Sequence, residues 1–376
     1  MKLFFVAGEA SGDARGAELM QALQVIAPDL VFLGAGGPRM RALARGPFLD
    51  WADEAVVGLW DVLKKYGYFR RTFAELLEEI RATRPDALIL IDYPGFNLRL
   101  ARAVRARFPA TKIIYYISPQ VWAWHRSRIP KMARFIDLML CIFPFEESLY
   151  ASSGLKAKFV GHPMLDTLGD KRIEGARDQH LVALLPGSRS REVQRNFPAM
   201  LAAAQTLQAR RPWLRFEASA ASPALAEEMR AELARAGAAE NFCAIHVGTA
   251  HQLMQRAIVG MVCSGTATLE AAFFGLPMVI LYKVAWLTWT VGRRLVEVEF
   301  LGMPNILAGS EIVREFLQDA AEPDAIAAEV LRLVDDADAR EAMQRELASV
   351  IAKLGEPGAG HRAAAAVAEQ LGLKVA

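Results

Sequence analysis

The stretch Leu181-Val182-Ala183-Leu184-Leu185-Pro186-Gly187-Ser188-Arg189 decides the fold class of this chain. Its first five residues form a continuous apolar run, which is typical of a strand buried on both faces of a parallel sheet. Pro186-Gly187 ends that strand, and Ser188 is predicted as the N-cap of a helix that continues through residues 189–196. A tight turn and a helix N-terminus beside Arg189 predict a phosphate or diphosphate site. The alternative is an ordinary turn with a surface arginine.

Short apolar runs alternate with amphipathic stretches along most of the chain. Strands are predicted at residues 2–7, 30–34, 87–91, 112–117, 138–142, 181–185, 215–218, 259–263 and 278–281. Helices are predicted between and after them, at residues 14–26, 69–83, 98–107, 194–211, 224–236, 268–274, 325–334 and 361–371. This alternation indicates parallel sheets with helices on both faces.

The number of strands and a polar linker at residues 169–180 indicate two domains, because one sheet rarely holds so many strands. We therefore predict an α/β protein with two doubly wound, Rossmann-like domains and a cleft between them. The first domain is predicted at residues 1–168 and the second at 169–355. The C-terminal helix, residues 356–376, is expected to pack back on the first domain or on a partner chain.

Composition narrows the class of protein. The chain has 376 residues, enough for two full cores, and its net charge of +2 gives no reason to expect nucleic acid as a partner. Three widely spaced cysteines in apolar contexts indicate buried thiols rather than disulfides or a metal site. No apolar window reaches the ~20 residues of a spanning helix, and the chain starts directly with a strand, so we expect a cytoplasmic protein without a signal peptide.

Two segments of the second domain carry further candidate residues, since ligands of parallel sheets bind beyond the carboxyl ends of strands. In Ser264-Gly265-Thr266-Ala267-Thr268-Leu269-Glu270, the glycine permits close backbone approach, and Thr266 and Glu270 share a helix face. Glu270 is predicted to accept hydrogen bonds from two ribose hydroxyls. The alternative is that this is an ordinary N-capped helix with a structural glutamate. Asn305 is either a structural bridge or a ligand contact. Glu311 and Gln318 are placed at the start and in the interior of a predicted helix.

In the first domain, Gly8-Glu9-Ala10-Ser11-Gly12-Asp13 follows the first strand. It lacks the G-x-G-x-x-G spacing, so a nicotinamide cofactor is not supported, and its carboxylates suit sugar hydroxyls or a general base. Asp92 ends the apolar run 87–91, where desolvation should raise its pKa towards that of a useful base; the alternative is a turn or N-cap aspartate. The loop with Trp122, Trp124 and His125 is expected either to pack between the two domains or to face a ligand. For His162, a structural role at the hinge explains the sequence as well as a chemical one does.

Residues 56–71 interleave aromatic, aliphatic and basic side chains. Such a pattern is typical of an interfacial segment, whose apolar groups enter lipid while its basic groups meet anionic head groups. The candidate lipid contacts are Trp60, Leu63, Tyr66, Phe69 and Arg70. The alternative is a core-packed helix with a solvated basic edge.

Six motifs together carry a resemblance to one family. They are Gly8-Glu9-Ala10-Ser11-Gly12-Asp13, Ser118-Pro119-Gln120-Val121-Trp122-Ala123-Trp124, Val160-Gly161-His162-Pro163, Leu185-Pro186-Gly187-Ser188-Arg189 with Glu192, Ser264-Gly265-Thr266-Ala267-Thr268-Leu269-Glu270 and Pro304-Asn305. In this order, and over nearly the whole chain, they resemble lipid-A-disaccharide synthase. The resemblance implies a GT-B glycosyltransferase with an inverting mechanism that needs no metal and no cofactor. It would join UDP-2,3-diacylglucosamine to 2,3-diacylglucosamine 1-phosphate (lipid X), giving the β-1,6-linked lipid A disaccharide 1-phosphate and UDP.

The resemblance also assigns roles to the candidate residues. The second domain would hold UDP through Ser188, Ser264, Gly265, Thr266, Glu270, Asn305, Glu311 and Gln318, with Arg189 stabilising the leaving group. On the acceptor side stand Ser11 and Gly12 as substrate contacts and Asp92 or Glu9 as the base. Many members have a second acidic residue where this chain has Gly95, and His125 replaces a basic residue of another type.

The resemblance further implies peripheral association with the cytoplasmic face of the inner membrane, and it leaves a homodimer open. Two rival functions remain at this stage. One is another UDP-GlcNAc enzyme of the same fold, an epimerase or a transferase. The other is a non-catalytic module that binds a nucleotide or a lipid.

Overall fold

The computed structural model describes residues 1–51, 66–124, 126–283 and 298–373, without the side chains of Tyr66 and Trp124. The chain forms two compact units, Met1–Asp166 with Leu354–Ala376, and Thr167–Lys353. The first unit thus ends at Asp166 rather than 168, and the second at Lys353 rather than 355.

The first unit is built on a parallel sheet with the strand order β3-β2-β1-β4-β5-β6-β7. Its strands are β1 Lys2–Ala7, β2 Val31–Gly36, β3 Phe48–Asp50, β4 Ala87–Ile91, β5 Lys112–Tyr116, β6 Leu138–Cys141 and β7 Ala157–Phe159. Its helices are α1 Ala10–Ile26, α2 Pro38–Arg41, α3 Tyr66–Thr83, α4 Pro94–Arg107, α5 Val121–Trp124, α6 Ile129–Met132 and α7 Pro144–Ala151, and α8 Met164–Leu168 leads into the second unit. Residues 87–91 and 3–7 are fully buried, which explains their unbroken apolar sequence.

The second unit repeats this arrangement with the strand order β10-β9-β8-β11-β12-β13. Its strands are β8 Asp178–Leu185, β9 Arg215–Ala220, β10 Cys243–Val247, β11 Ala257–Cys263, β12 Met278–Tyr282 and β13 Glu315–Leu317. Its helices are α9 Ser190–Arg210, α10 Pro223–Arg235, α11 Ala250–Arg256, α12 Thr266–Phe273, α13 Met303–Ala308, α14 Pro323–Asp335 and α15 Ala337–Ala352. The last helix, α16 Ala359–Leu371, belongs to the first unit and packs against α1.

Several predicted elements differ from the structure, chiefly at sheet edges. The short strands β3, β7 and β13 and the half-exposed strand β10 were not predicted, because they carry little apolar periodicity. The predicted helix from Glu311 through Gln318 was wrong: residues 315–317 pair with β12 as an edge strand. Helix α1 begins at Ala10 rather than 14, so Ser11, Gly12 and Asp13 lie in its first turn.

The predicted linker is anchored on the second unit by two arginines. Arg177 donates to the carbonyl oxygens of Met254 (2.7 Å), Ala257 (2.7 Å) and Phe274 (2.6 Å), and burial lowers the pKa of its guanidinium to about 10. The Arg172 guanidinium lies 4.7 Å from the centre of the Phe273 ring. Within the described residues, no helix combines the length and apolarity needed to cross a bilayer.

Candidate active site

The candidate residues collect where each sheet reverses its strand order. The reversal lies between β1 and β4 in the first unit and between β8 and β11 in the second. Loops that follow two such strands turn to opposite faces of the sheet and leave a crevice at the carboxyl edge. Glu9 and Asp92 follow the first pair of strands, and Arg189 and Ser264 follow the second pair.

Asp92 stands on a strained turn after β4. Asp92 and Tyr93 both have left-handed backbone conformations, with φ of 45° and 51°, which non-glycine residues rarely adopt. The turn is held at the Asp92 carbonyl oxygen, which accepts from the hydroxyl of Tyr115 (2.5 Å) and from Nδ2 of Asn97 (2.8 Å). Desolvation is the main effect that raises the pKa of Asp92, and the nearby negative charge of Glu9 raises it further. A hydrogen bond from the Tyr93 backbone opposes both, and the resulting pKa is about 6.

The loop after β1 separates its two carboxylates. Glu9 is the N-cap residue of α1, is half-buried, and makes no side-chain cap hydrogen bond. Asp13 is buried and accepts from the backbone N–H groups of Gly37 (2.9 Å), Arg39 (3.0 Å) and Met40 (3.0 Å), so it holds the start of α2. Only Glu9 of this pair therefore remains beside Asp92. Ser11 is exposed on α1 and Gly12 is buried.

Gly8 and Gly95 differ in what surrounds them. A Cβ at Gly8 would lie 2.3 Å from the Tyr93 ring, so glycine is required there for the two loops to pack. A Cβ at Gly95, in the first turn of α4, would have no heavy atom within 4 Å among the described residues. The start of α4 thus has room for a side chain at position 95.

The turn after β8 differs from its prediction. Arg189, not Ser188, is the N-cap residue of α9. The Glu192 carboxylate accepts from the backbone N–H groups of Ser188 (2.9 Å) and Arg189 (3.3 Å) and pairs with the Arg189 guanidinium at 3.0 Å. These two backbone N–H groups of the turn, which were expected to be free for a phosphate, therefore bind a carboxylate of the same chain. Glu192 thus stands at the N3 position of a capping box, but Arg189 carries no side-chain acceptor for the N-cap position of that motif, so the sequence pattern did not indicate it.

Helix α12 offers the more open N-terminus of the second unit. Its N-cap Gly265 has a φ of 145°, which favours glycine, and its first turn contains no acidic residue. Its first N–H groups have no acceptor within the helix, as in any α-helix. Thr266 is exposed there, whereas the hydroxyl of Ser264 donates to the carbonyl oxygen of Leu301 at 3.2 Å.

Glu270 lies one turn further along α12, half-buried. Its Oε2 is 3.3 Å from Nε2 of His251 on α11, a contact that nothing in the sequence pattern indicated. Side chains of an α-helix lean towards its N-terminus, so Glu270 is directed towards the Gly265 end. An open helix end and a carboxylate one turn further along therefore lie on the same short helix.

Asn305 acts as a structural bridge rather than a ligand contact. Its Nδ2 donates to the Val313 carbonyl oxygen (2.7 Å) and to Glu315 Oε1 (2.8 Å), and its Oδ1 accepts from the N–H groups of Ile312 and Val313. With four partners the buried amide is saturated. Glu315, which the sequence reasoning missed, also accepts from the N–H of Leu301 at 2.9 Å. The two residues shape the loop onto which Ser264 bonds.

Glu311 adjoins the Asn305–Glu315 cluster, since its Oε1 accepts from the N–H of Glu315 at 3.4 Å, and other candidates lie beyond the described residues. Glu311 is exposed and pairs with Arg314 at 3.0 Å, and Gln318 follows β13 with a φ of 50°. Trp122 is buried and its indole N–H donates to Glu146 at 2.9 Å, which favours a structural role. The side chain of Trp124, and His125, lie outside the described residues.

The predicted lipid contacts are described only in part. Trp60 and Leu63, and the side chain of Tyr66, lie outside the described residues. Phe69 is half-buried in an aromatic cluster, with its ring centre 6.5 Å from those of Trp51 and Phe96, so it packs against the core. Arg70 is exposed on α3.

Comparison with known proteins places the chain in one family. A family model described as "Lipid-A-disaccharide synthetase" matches residues 3–369. The lipid-A-disaccharide synthase of Geobacter sulfurreducens is 41% identical over 385 residues, covering 100% of this chain and 98% of that protein. The fold is similar to that of S. aureus MnaA in a UDP co-structure (TM-score 0.65, 13% identity, 100% of this chain and 98% of that one). It is also similar to the calicheamicin glycosyltransferase CalG4 (TM-score 0.57, 15% identity, 99% and 98%).

The raised pKa of Asp92 predicts a gain in stability on neutralisation. The unfolded chain ionises this carboxyl near pH 4 and the folded chain only near pH 6, so the free energy of unfolding falls as pH rises between these values. Asp92→Asn removes that loss, and we expect it to stabilise the fold by about 1–3 kcal/mol more at pH 7.5 than at pH 4. Urea unfolding at both pH values measures this difference, with the exposed Asp29→Asn as the control; an equal effect at both pH values would contradict it.

Proposed function

The chain belongs to the lipid-A-disaccharide synthetase family, and on that premise we infer that it is a glycosyltransferase that forms the lipid A disaccharide. Its two doubly wound units have the GT-B fold class that the sequence predicted. The donor is a UDP-sugar and the acceptor a lipid. In the reaction of this family, UDP-2,3-diacylglucosamine transfers its sugar to the 6-hydroxyl of 2,3-diacylglucosamine 1-phosphate.

We propose Asp92 as the general base, and its environment is the observation that carries the proposed mechanism. A base must be largely ionised at the working pH and yet basic enough to take a hydroxyl proton. With a pKa of about 6, Asp92 meets both conditions near neutral pH. Its strained, doubly hydrogen-bonded turn holds the carboxylate in one place. Glu9 then helps to keep the pKa of Asp92 high, and Ser11 and Gly12 belong to the acceptor side.

We assign the UDP of the donor to α12. Its open N-terminus at Gly265 and Thr266 would take the diphosphate, and Glu270 would accept from the ribose hydroxyls. Ser188 and Arg189 face the same switch point, where Arg189 supplies a cation next to the covered end of α9. Ser264 and Asn305 support the site through the 301–305 loop, while Glu311 and Gln318 stay at its periphery.

The step is a single displacement. Asp92 takes the proton of the acceptor 6-hydroxyl, and that oxygen forms a bond to the anomeric carbon of the donor. The bond from this carbon to the diphosphate oxygen breaks on the opposite face, and UDP leaves with the electron pair. The configuration at carbon 1 therefore inverts. Charge develops on the leaving diphosphate, so fixed groups aimed at it, Arg189 and the α12 N-terminus, supply the larger share of the stabilisation.

Formation of the disaccharide from the two lipid substrates tests this function. We expect Asp92→Asn to lower kcat by about 10²–10⁴-fold, because general base assistance is lost. In the unaltered protein, kcat/KM should rise with pH around 6 as Asp92 ionises. Epimerisation of UDP-GlcNAc alone, without disaccharide formation, would instead assign the chain to the rival enzyme class.

Gly95 provides a second arm of this experiment. Because a side chain at this position has room and an acid is favoured at a helix N-terminus, Asp92→Asn with Gly95→Asp should recover part of the lost activity. Asp92→Asn with Gly95→Asn is the control. Full activity in the single Asp92→Asn variant would exclude Asp92 and leave Glu9 as the base.

Arg189 is expected to act on the departing UDP. We expect Arg189→Ala to lower kcat by about 10²-fold, with a smaller change in the KM of the donor, since the charge on the diphosphate is greatest in the transition state. Arg191→Ala, an exposed neighbour on α9, is the control. An increase in KM with an unchanged kcat would make Arg189 an anchor for the ground state.

We also propose that the protein binds peripherally to the cytoplasmic face of the inner membrane. That the chain forms a homodimer stays a separate prediction. The described support is the exposed basic pair Arg70 and Arg71 on α3. Replacing both with Glu should weaken sedimentation with anionic vesicles, since each basic residue near such a surface is worth about 1 kcal/mol. The matched control is Arg102→Glu with Arg107→Glu on α4. Equal losses in both double variants would rule out a specific role of α3.

A further inference from the structure

We propose that His251 is a positioning residue that orients the Glu270 carboxylate for the ribose of the donor, and that Lys171 favours the tautomer of the histidine ring that donates to Glu270. The inference rests on the proposed assignment of UDP to α12. It concerns three side chains of the second unit that come from different elements. Lys171 lies in a 3-10 turn of the linker, His251 on α11 and Glu270 on α12.

The contacts determine which nitrogen of the ring carries the proton. Nζ of Lys171 lies 3.4 Å from Nδ1 of His251, and Nε2 of His251 lies 3.3 Å from Oε2 of Glu270. An ammonium group only donates, so Nδ1 accepts and the proton resides on Nε2. With the proton on Nε2, the ring donates Nε2–H to Glu270 and leaves Oε1 of that carboxylate for a ligand hydroxyl.

The ring is itself held in place. It packs on Phe274, with 5.6 Å between ring centres and a tilt of 49°. Its side chain and that of Glu270 are 24% and 26% exposed, so the pair borders solvent without being open to it. A long carboxylate side chain loses rotamer freedom when it binds, and a partner that restricts it beforehand lowers that cost.

Gln255 holds the backbone of Lys171 close to His251. Its Nε2 donates to the carbonyl oxygens of Lys171 (2.9 Å) and His251 (3.0 Å), and its Oε1 accepts from the Ile173 N–H (2.8 Å). One side chain on α11 thus ties the linker to the turn that carries His251. The ribose contact is thereby connected to the segment at which the second unit begins.

Binding of UDP and of 2′,3′-dideoxy-UDP, measured by calorimetry, tests the inference. His251→Phe keeps a ring against Phe274 but removes the donor, and we expect about 5–20-fold weaker binding of UDP and no change for the dideoxy nucleotide. His251→Gln, which retains an N–H donor, should stay within about twofold of the unaltered protein. Lys171→Met, at an exposed position, should weaken UDP binding by about two- to threefold. The KM of the donor should rise in parallel, with kcat at saturating donor unchanged.

The outcomes separate this inference from the proposed function. Equal weakening of both nucleotides by His251→Phe would indicate a structural role and overturn the inference, as would unchanged binding of UDP. If Glu270→Gln weakens UDP but not dideoxy-UDP, the donor assignment stands whatever the histidine variants do. If Glu270→Gln does not discriminate between the two nucleotides, the donor assignment fails, and the inference fails with it.

Discussion

The reversal of strand order in each parallel sheet is the constraint on which the candidate site depends. At β1/β4 and at β8/β11, successive helices cross to opposite faces, and the loops at the carboxyl edge separate. The left-handed turn at Asp92 and the left-handed glycine before α12 both stand at these points. The rest of each sheet serves to keep the two strand ends in register.

Desolvation decides which acidic residues remain available for chemistry. Asp13 and Glu192 are bound by backbone N–H groups, which satisfy their charge and assign them to structure. Asp92 receives less such compensation, and burial raises its pKa. Glu270 has fewer partners than Asp13 or Glu192, since one of its oxygens contacts a histidine nitrogen. Four carboxylates near strand ends thus have different roles because the number of N–H partners differs, a property of three-dimensional contacts rather than of residue type.

The fold class was accessible from sequence, because buried parallel strands carry unbroken apolar runs, and the rule that ligands follow their carboxyl ends predicts where the candidate residues lie. Residues 87–91 and 181–185 illustrate this. The edge strands were not accessible, since three residues such as Glu315–Leu317 become a strand only by pairing with β12. The roles of Asn305 and His251 were not accessible either. The saturated amide of Asn305 depends on partners seven to ten positions away in the chain, and the contact of Glu270 depends on a residue of another helix.

Gly95 bears on how one carboxylate can suffice as a base. A second acid at the start of α4 would add a negative charge next to Asp92 and raise the pKa of Asp92 further, as Glu9 already does. Without it, Asp92 relies on burial as the main cause of its raised pKa, with Glu9 as a lesser one. In the proposed mechanism, burial of Asp92, with a lesser contribution from Glu9, therefore sets the basicity that transfer to a hydroxyl needs.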